Sequence, residues 1–524
     1  MKPERGAKSA KRPTDRMKSA KKTAGEVKSA KKTSDAGNSV KKVITGREAA
    51  LKALIRRERT GGDITEGMAD MAALLDARDA AFAKKLAIGT VRRQITLDAV
   101  IDEYASMKTR AMKPVIRVIL RLGVYQILYV NSVRAAAAVD EAVKQAKDRR
   151  LAPLSGFVNG VLRAVADHRE DILTWIEEAP AGIRYGMPKY PLGVFLSDRG
   201  IAETDRILEA LDLDRPVTVR TNRAVLDSAD KLGAWEKELC SVCEAAKHVL
   251  SDRCFPAGDQ ALYTLSGTGD IRRLPGYEDG AFTVMDASGV LAVLAAGIKP
   301  GDKVLDMCAA PGSKALFAAS LLYDPGQLTA WDVSEKRLDT LRENAGRLRL
   351  ERIRIRKCDG TTGIESIEIV EGDENIGSIA GCNGTGVSEV LPYRGSDIKA
   401  YDVVLCDAPC TGFGVMGRKP DIRFNSSSKK TASLIELQRK LLMNAASLLK
   451  SGGTLIYSTC TINRRENEGN VKWLAENSDL IPAAWETGIE GMAPVNGCLQ
   501  IMPGRWDTDG FFIARLVRKL SPGY

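Results

Sequence analysis

KVLDMCAAPGSKALFAASLLY, residues 303–323, runs from an apolar stretch through a small-residue turn into a helix-forming stretch. KVLDMC (303–308) has the apolar density of a buried strand, Pro311 and Gly312 punctuate it, and KALFAASLLY (314–323) continues as a helix. Strand, glycine turn and helix make one βα unit, and the pattern repeats downstream. QLTAWDV (327–333) leads into SEKRLDTLRENAGRLRL, RIRIRKCD (352–359) follows, and YDVVLCDAP (401–409), the helix SLIELQRKLLMNAASLLK (433–450) and GGTLIYSTC (452–460) complete the series. Repeated βα units with apolar strands predict a doubly wound, Rossmann-like, mostly parallel sheet over residues 281–524. Ligands of such sheets bind at the carboxyl ends of the strands, where Cys308, Asp332, Asp359, Asp407 and Cys460 all fall.

The turn itself, Cys308, Ala309, Ala310, Pro311, Gly312, Ser313 and Lys314, lets a ligand approach the backbone and the first N–H groups of a helix. It is neither a Walker loop nor the full G-x-G-x-x-G fingerprint, which argues against a polyphosphate. Asp332, at the end of the next strand, is placed to hold the two hydroxyls of a ribose, and Asp359 to accept from an adenine amino group. A nucleoside without a polyphosphate is the best fit, and S-adenosylmethionine meets that description. Each aspartate taken singly is also an ordinary turn or cap residue.

CDAPCTG (406–412) and YSTC (457–460) end two further strands on cysteines. Buried cysteines are usually inert core residues. Here each is followed by polar, turn-forming sequence beside the expected nucleoside site, which favours a nucleophilic thiolate.

Upstream, residues 44–172 carry helical periodicity with few strand signals. AALKALIRRE, AAFAKKLAIGTVRRQITLDAVIDEYA, PVIRVILRLGVYQILYV, AVDEAVKQAKD and GFVNGVLRAVADH read as helices, and TGRE (45–48) reads as a capping box that opens the first. Residues 173–280 read as a small α/β module, with strands at PVTVRTNR (216–223) and near DIRRLPG (270–276). Cys240, Cys243, His248 and Cys254 have the spacing of a zinc knuckle, but LGAWEKELCSVCEAAKHVL reads better as one amphipathic helix, and no metal is expected. Residues 360–400, with seven acidic against two basic residues, interrupt the βα rhythm as a surface insertion.

The net charge of +11 is concentrated in residues 1–42, which hold 14 Lys/Arg against 4 Asp/Glu in a degenerate KSAK repeat. So few large apolar residues cannot offset chain entropy, so a disordered tail (1–43) is expected, either an arm on RNA phosphates or a solubilising extension. No apolar run approaches the roughly 20 residues of a membrane span, and no secretory leader is evident. Ten sparse cysteines suit a reducing compartment, so a cytoplasmic, membrane-free protein is expected.

DMCAAPGSK, DAPCTGFGVMGRKPDIRF, YSTCTINRRENEGN and RWDTDGFFIARL resemble the motifs of RNA cytosine-5 methyltransferases of the Nol1/Nop2/Sun group. RLGVYQILY (121–129), AAVDEAVKQAK (137–147) and FVNGVLR (157–163) resemble the RNA-binding fold of NusB, and the combination resembles the bacterial 16S rRNA methyltransferases of the Sun/Fmu type. The resemblance covers residues 44–524 apart from the insertion. It implies a multidomain protein: an all-α NusB-like domain, a small α/β module and an α/β methyltransferase domain. It further implies S-adenosylmethionine as cofactor, Cys460 as the nucleophile that adds to cytosine C6, Cys410 as the thiol that assists release, and Asp407 as the contact to the base. The partner implied is 16S rRNA, free of or early in ribosome assembly, met by a monomer. Ser313, Ala315 and Gly417 depart from the group's usual residues. Two other readings stay open: a DNA-type or tRNA cytosine methyltransferase, the DNA type with Cys410 as nucleophile, and a noncatalytic RNA-binding antitermination or assembly factor.

Overall fold

The computed structural model describes residues 44–255, 260–362 and 401–520. The basic tail at 1–43 lies outside them, as does the 360–400 insertion beyond Thr362.

Thr45 caps the first helix, Gly46–Thr60, by accepting from the Glu48 N–H at 3.3 Å. Glu48 does not fold back to complete the box; it pairs with Arg149 at 2.7 Å. The helices Ile64–Ala72, Ala77–Arg92, Gln94–Tyr104, Pro114–Tyr129, Ala135–Asp148 and Ser155–Asp167 follow. The expected continuous helix over 80–105 breaks at Arg93, whose guanidinium turns away to Asp212 and the Arg184 carbonyl. Pro114–Tyr129 is buried almost throughout, so its neighbours must pack close. A Cβ at Gly123 would meet Leu162 at 2.7 Å, and one at Gly89 would meet the Tyr125 ring.

Helices Arg169–Glu178, Ala181–Arg184 and Lys189–Asp212 lead to a four-stranded antiparallel sheet. Its strands are β1 (Val217–Thr221), β2 (Glu244–Lys247), β3 (Leu262–Ser266) and β4 (Phe282–Val284), in the order β2-β3-β1-β4. The strand expected near 270–276 is instead β3. Asp270 accepts from the Arg272 N–H and curls Ile271–Arg273 into a 3-10 turn. The helix expected across 232–250 stops at Cys240, because Ala245 and its neighbours pair with β3. The small sheet closes with β4, beyond residue 280. Among the described residues no group of three or more His, Cys, Asp or Glu side chains is placed to hold a metal ion.

The second sheet contains β5 (Val304–Asp306), β6 (Leu328–Asp332), β7 (Arg354–Lys357), β8 (Tyr401–Asp407), β9 (Leu449–Thr459), β10 (Leu480–Pro482), β11 (Cys498–Ile501) and β12 (Phe511–Arg518). Its order is β10-β12-β9-β8-β5-β6-β7, with β11 on β12. Strands β5 to β9 are parallel, and β12 runs antiparallel to β9. From β5 the chain moves outward to β6 and β7, then returns to β8 on the other flank of β5. Strand order reverses there, opening a crevice at the carboxyl ends of β5 and β8. Helices Ala287–Ala295, Ser313–Ser320, Glu335–Arg347, Ser428–Leu448 and Glu468–Asn477 accompany this sheet. None of the described helices is long and apolar enough to cross a membrane.

Candidate active site at the ends of the parallel strands

The turn after β5 is held by its own backbone. Cys308 N–H donates to Asp306 Oδ1 at 3.2 Å, and Ala309 N–H donates to the Trp331 carbonyl at 2.8 Å. Ala309 and Ala310 are buried and Pro311 is exposed. Gly312 has φ +116° and lies so close to Leu341 that a Cβ would come within 2.3 Å of its side chain. The turn accepts only glycine there, and helix Ser313–Ser320 starts immediately after it. The Cys308 thiol sits against Cys406, which together with burial pushes its pKa well up.

Lys314, in the first turn of that helix, crosses the crevice to Asp407 Oδ2 at 2.7 Å, with its ammonium 5.1 Å from the Phe511 ring centre. Asp407 Oδ1 accepts from Ser458 Oγ at 2.9 Å. Burial works against the charge on Lys314. The charges of Asp407, Asp306 and Cys460 outweigh it and hold the ammonium above its ordinary range. Burial and the neighbouring Asp407 push Asp306 up to about 7.

A folded-state value above the ordinary 3.8 means that the native protein binds a proton the unfolded chain releases. This stabilisation is present below pH 4 and is lost as pH rises through 7. Measured against Asp306→Asn, the wild type should therefore lose stability from pH 4 to 7 by roughly 1.4 kcal/mol per unit. Parallel urea-unfolding midpoints for the two proteins would refute it.

The sulfurs of Cys410 and Cys460 lie 3.4 Å apart. Cys460 is the first residue beyond β9, and its carbonyl accepts from Gly414 N–H at 3.0 Å. Gly414 presses on Gly510 so tightly that a Cβ would meet the Gly510 carbonyl oxygen at 2.0 Å. Behind the thiols lies Glu466, fully buried. Its Oε1 accepts from Thr411 N–H at 2.9 Å and Gln438 Nε2 at 3.0 Å; its Oε2 accepts from Thr411 Oγ1 at 2.6 Å and Asn463 Nδ2 at 2.8 Å. Gln438 also donates to the Pro409 carbonyl at 2.8 Å, and Asn467 to the Thr461 carbonyl at 3.0 Å. This clamp joins the loop after β8 to the loop after β9. The contact with the Cys460 sulfur, then burial and nearby Glu466, raise the Cys410 thiol well above its usual range.

Asp332 is buried at the end of β6. It accepts from Ser334 N–H at 3.0 Å and pairs with Arg337 at 3.0 Å, while Arg337 also donates to the Ala310 carbonyl. Asp359 stands two residues beyond β7, exposed, with Oδ1 accepting from Thr361 N–H at 2.9 Å and Thr361 Oγ1 at 2.7 Å. These bonds hold its pKa below the ordinary carboxylate value. Glu466 and Arg337 escaped the sequence reading. The run RRENEGN (464–470) was the available signal for the first: a carboxylate amid amides directly after a strand-end cysteine.

A family model for 16S rRNA methyltransferase RsmB/F matches residues 293–517, and one for the NusB family matches 45–167. The chain is 32% identical over 448 residues to a probable ribosomal RNA small subunit methyltransferase B of Synechocystis sp., covering 84% of this chain and 92% of that protein. The chain belongs to the RsmB/F methyltransferase family. A probable ribosomal RNA small subunit methyltransferase B of Bacillus subtilis is 29% identical, over 90% of this chain and 98% of that protein. The crystal structure of PH0851 shares the fold with a TM-score of 0.69, covering 90% of this chain and 98% of that one at 21% identity. Family membership makes the chain a methyltransferase whose helical domain is NusB-like.

Proposed function

We propose that this protein methylates C5 of a cytosine in 16S rRNA, using S-adenosylmethionine and a covalent Cys460–C6 adduct. The pair of thiols 3.4 Å apart, at the ends of β8 and β9 beside Lys314 and Asp407, carries this reading. A second reading, with Cys410 as nucleophile, draws on the same short distance.

The residues around the glycine turn suit the cofactor. The close-packed turn at Gly312, buried Asp332 for the ribose hydroxyls and exposed Asp359 for the adenine amino group fit a nucleoside and offer no polyphosphate cradle. Bound there, S-adenosylmethionine supplies an electrophilic methyl group.

Cytosine C5 is a weak nucleophile. The Cys460 thiolate forms a bond to C6, the C5=C6 π pair shifts onto C5 and is delocalised toward C4 and N3, and C5 would use that pair to bond the methyl carbon while the methyl–sulfur pair stays with the donor as a neutral thioether. Lys314 offsets the charge that Asp407 carries. Asp407, oriented by Lys314 and Ser458, accepts from the cytosine amino group. For release, the C5 proton passes to solvent, its electron pair restores C5=C6, and the C6–S bond breaks. Cys460 departs as a thiolate that accepts a hydrogen bond from the Cys410 thiol. The target base must leave its stack to reach this crevice. The NusB-like domain holds the RNA, and the protein acts as a cytoplasmic monomer on rRNA free of or early in assembly.

Incubating the protein with unmodified 16S rRNA and S-adenosylmethionine, then mapping by mass, should find 5-methylcytosine. Methyl groups on another base or another position would refute the reading. Asp332→Ala should weaken S-adenosylmethionine binding by roughly 1–3 kcal/mol through lost charge-assisted hydrogen bonds. An unchanged dissociation constant by calorimetric titration would remove Asp332 from the cofactor site.

A further inference from the structure

Cys410 opens a 16-residue strap, 410–425, that contains only the 3-10 turn Phe413–Val415 and the helical turn Ile422–Asn425. So little regular structure leaves its course to its anchors. At the cysteine end these are Glu466 on Thr411 and the Cys460 carbonyl on Gly414. Midway, Arg418 pairs with Asp509 at 2.9 Å and donates to the Pro216 carbonyl at 3.2 Å.

The far end is plugged into the helical domain. Asp421, 3% exposed, accepts from Arg57 and from the Ile64 N–H at 2.8 Å. Arg423, 1% exposed, donates to the carbonyls of Tyr185 at 2.7 Å and Arg92 at 3.1 Å. Arg92 donates in return to the Gly417 carbonyl at 2.9 Å. Phe424 packs on the helical core beneath the Arg57 guanidinium. A Cβ at Gly417 would come within 3.0 Å of the Leu211 carbonyl oxygen, so the strap also presses on the linking helix where this sequence departs from the group's usual basic residue. A surface contact between domains does not require a buried aspartate and a buried arginine; these hold the strap in one geometry.

We infer that Asp421 and Arg423 are positioning residues for Cys410, so that the NusB-like domain is part of the catalytic scaffold as well as an RNA-holding module. The inference rests on Cys410 acting in release. With the far anchor loosened, the Cys410 thiol loses its alignment on the departing Cys460 sulfur, while addition of Cys460 to C6 proceeds, because the strap's bond to the Cys460 backbone, Gly414 N–H to its carbonyl, lies at the near end and is kept.

The test uses the full-length protein, labelled 16S rRNA and S-adenosylmethionine on denaturing gels, with Cys410→Ser as reference. Asp421→Ala should accumulate covalent complex that breaks down roughly tenfold more slowly than wild type, as expected when a catalytic group is slightly misplaced. Asp421→Asn, which still accepts from Ile64 N–H, should fall between, and KM for S-adenosylmethionine should not change. Arg57→Gln lies on the helical domain and should act in the same direction, so it carries the test if Asp421→Ala does not fold. Wild-type breakdown in a folded variant, or lower turnover without accumulated complex, would overturn the inference. If the Cys410→Ser reference itself accumulates nothing, the release role of Cys410 falls and the inference with it.

Discussion

Cys460→Ser should abolish methyl transfer and leave no covalent RNA complex, whereas Cys410→Ser should let the complex form and slow its decay. A serine hydroxyl at 460 is not ionised near neutral pH and adds poorly to a pyrimidine ring, so the loss should be roughly a thousandfold or more. The two sulfurs are 3.4 Å apart, so proximity does not distinguish them. Their surroundings differ. Cys410 is partly buried near Glu466, and its contact with the other sulfur, burial and that carboxylate raise its thiol well above the usual range, which suits a thiol that meets a departing thiolate. Cys460 lies within electrostatic reach of the Lys314 ammonium, a position that suits the attacking group. Denaturing gels with labelled RNA separate the cases: trapped complex in the 460 variant and none in the 410 variant would assign the nucleophile to Cys410.

Glu466→Ala should destabilise the protein by roughly 2–4 kcal/mol and cut activity along with it, because four buried donors lose their acceptor at once. Thr411 N–H and Oγ1 belong to the Cys410 loop, and Asn463 to the loop after Cys460. Removing the carboxylate therefore both exposes unsatisfied polar groups and unties the loops from each other. Glu466→Gln keeps the volume but turns one oxygen into an amide that faces donors, so it should recover part of the stability. Urea unfolding and initial rates, measured on the same preparations, check the coupling. Full activity in a folded alanine variant would show that the loops hold their geometry without the clamp.

Local pattern carried much of this molecule. The βα periodicity over 303–460 predicts a parallel sheet, and the strand ends at Asp306, Asp332, Asp407 and Thr459 lie within two residues of where the sequence placed them, because burial on both faces demands apolar strands and turn residues must punctuate them. The helical periodicity of 46–167 was equally plain in the sequence. Errors fell where structure is short or partly exposed. DIRRLPG has strand-like spacing but is curled by the Asp270 side chain, and the helix beyond Cys240 gives way to β2 because a partner strand outcompetes a weak amphipathic pattern.

Side-chain pairing across the chain was decided only by the tertiary structure. Lys314 reaches Asp407, 93 residues away; Thr411 reaches Glu466, 55 away; Asp421 reaches Arg57, 364 away. Periodicity reports which face of an element is buried and turn residues report where it ends, and both act over a few residues. The partner of a buried charge is set by how separate elements pack. The sequence by itself determined the parallel strands, the turns that end them and the cysteines after two of them; only packing decided that the cysteines share one clamp and that the helical domain anchors the loop carrying one of them.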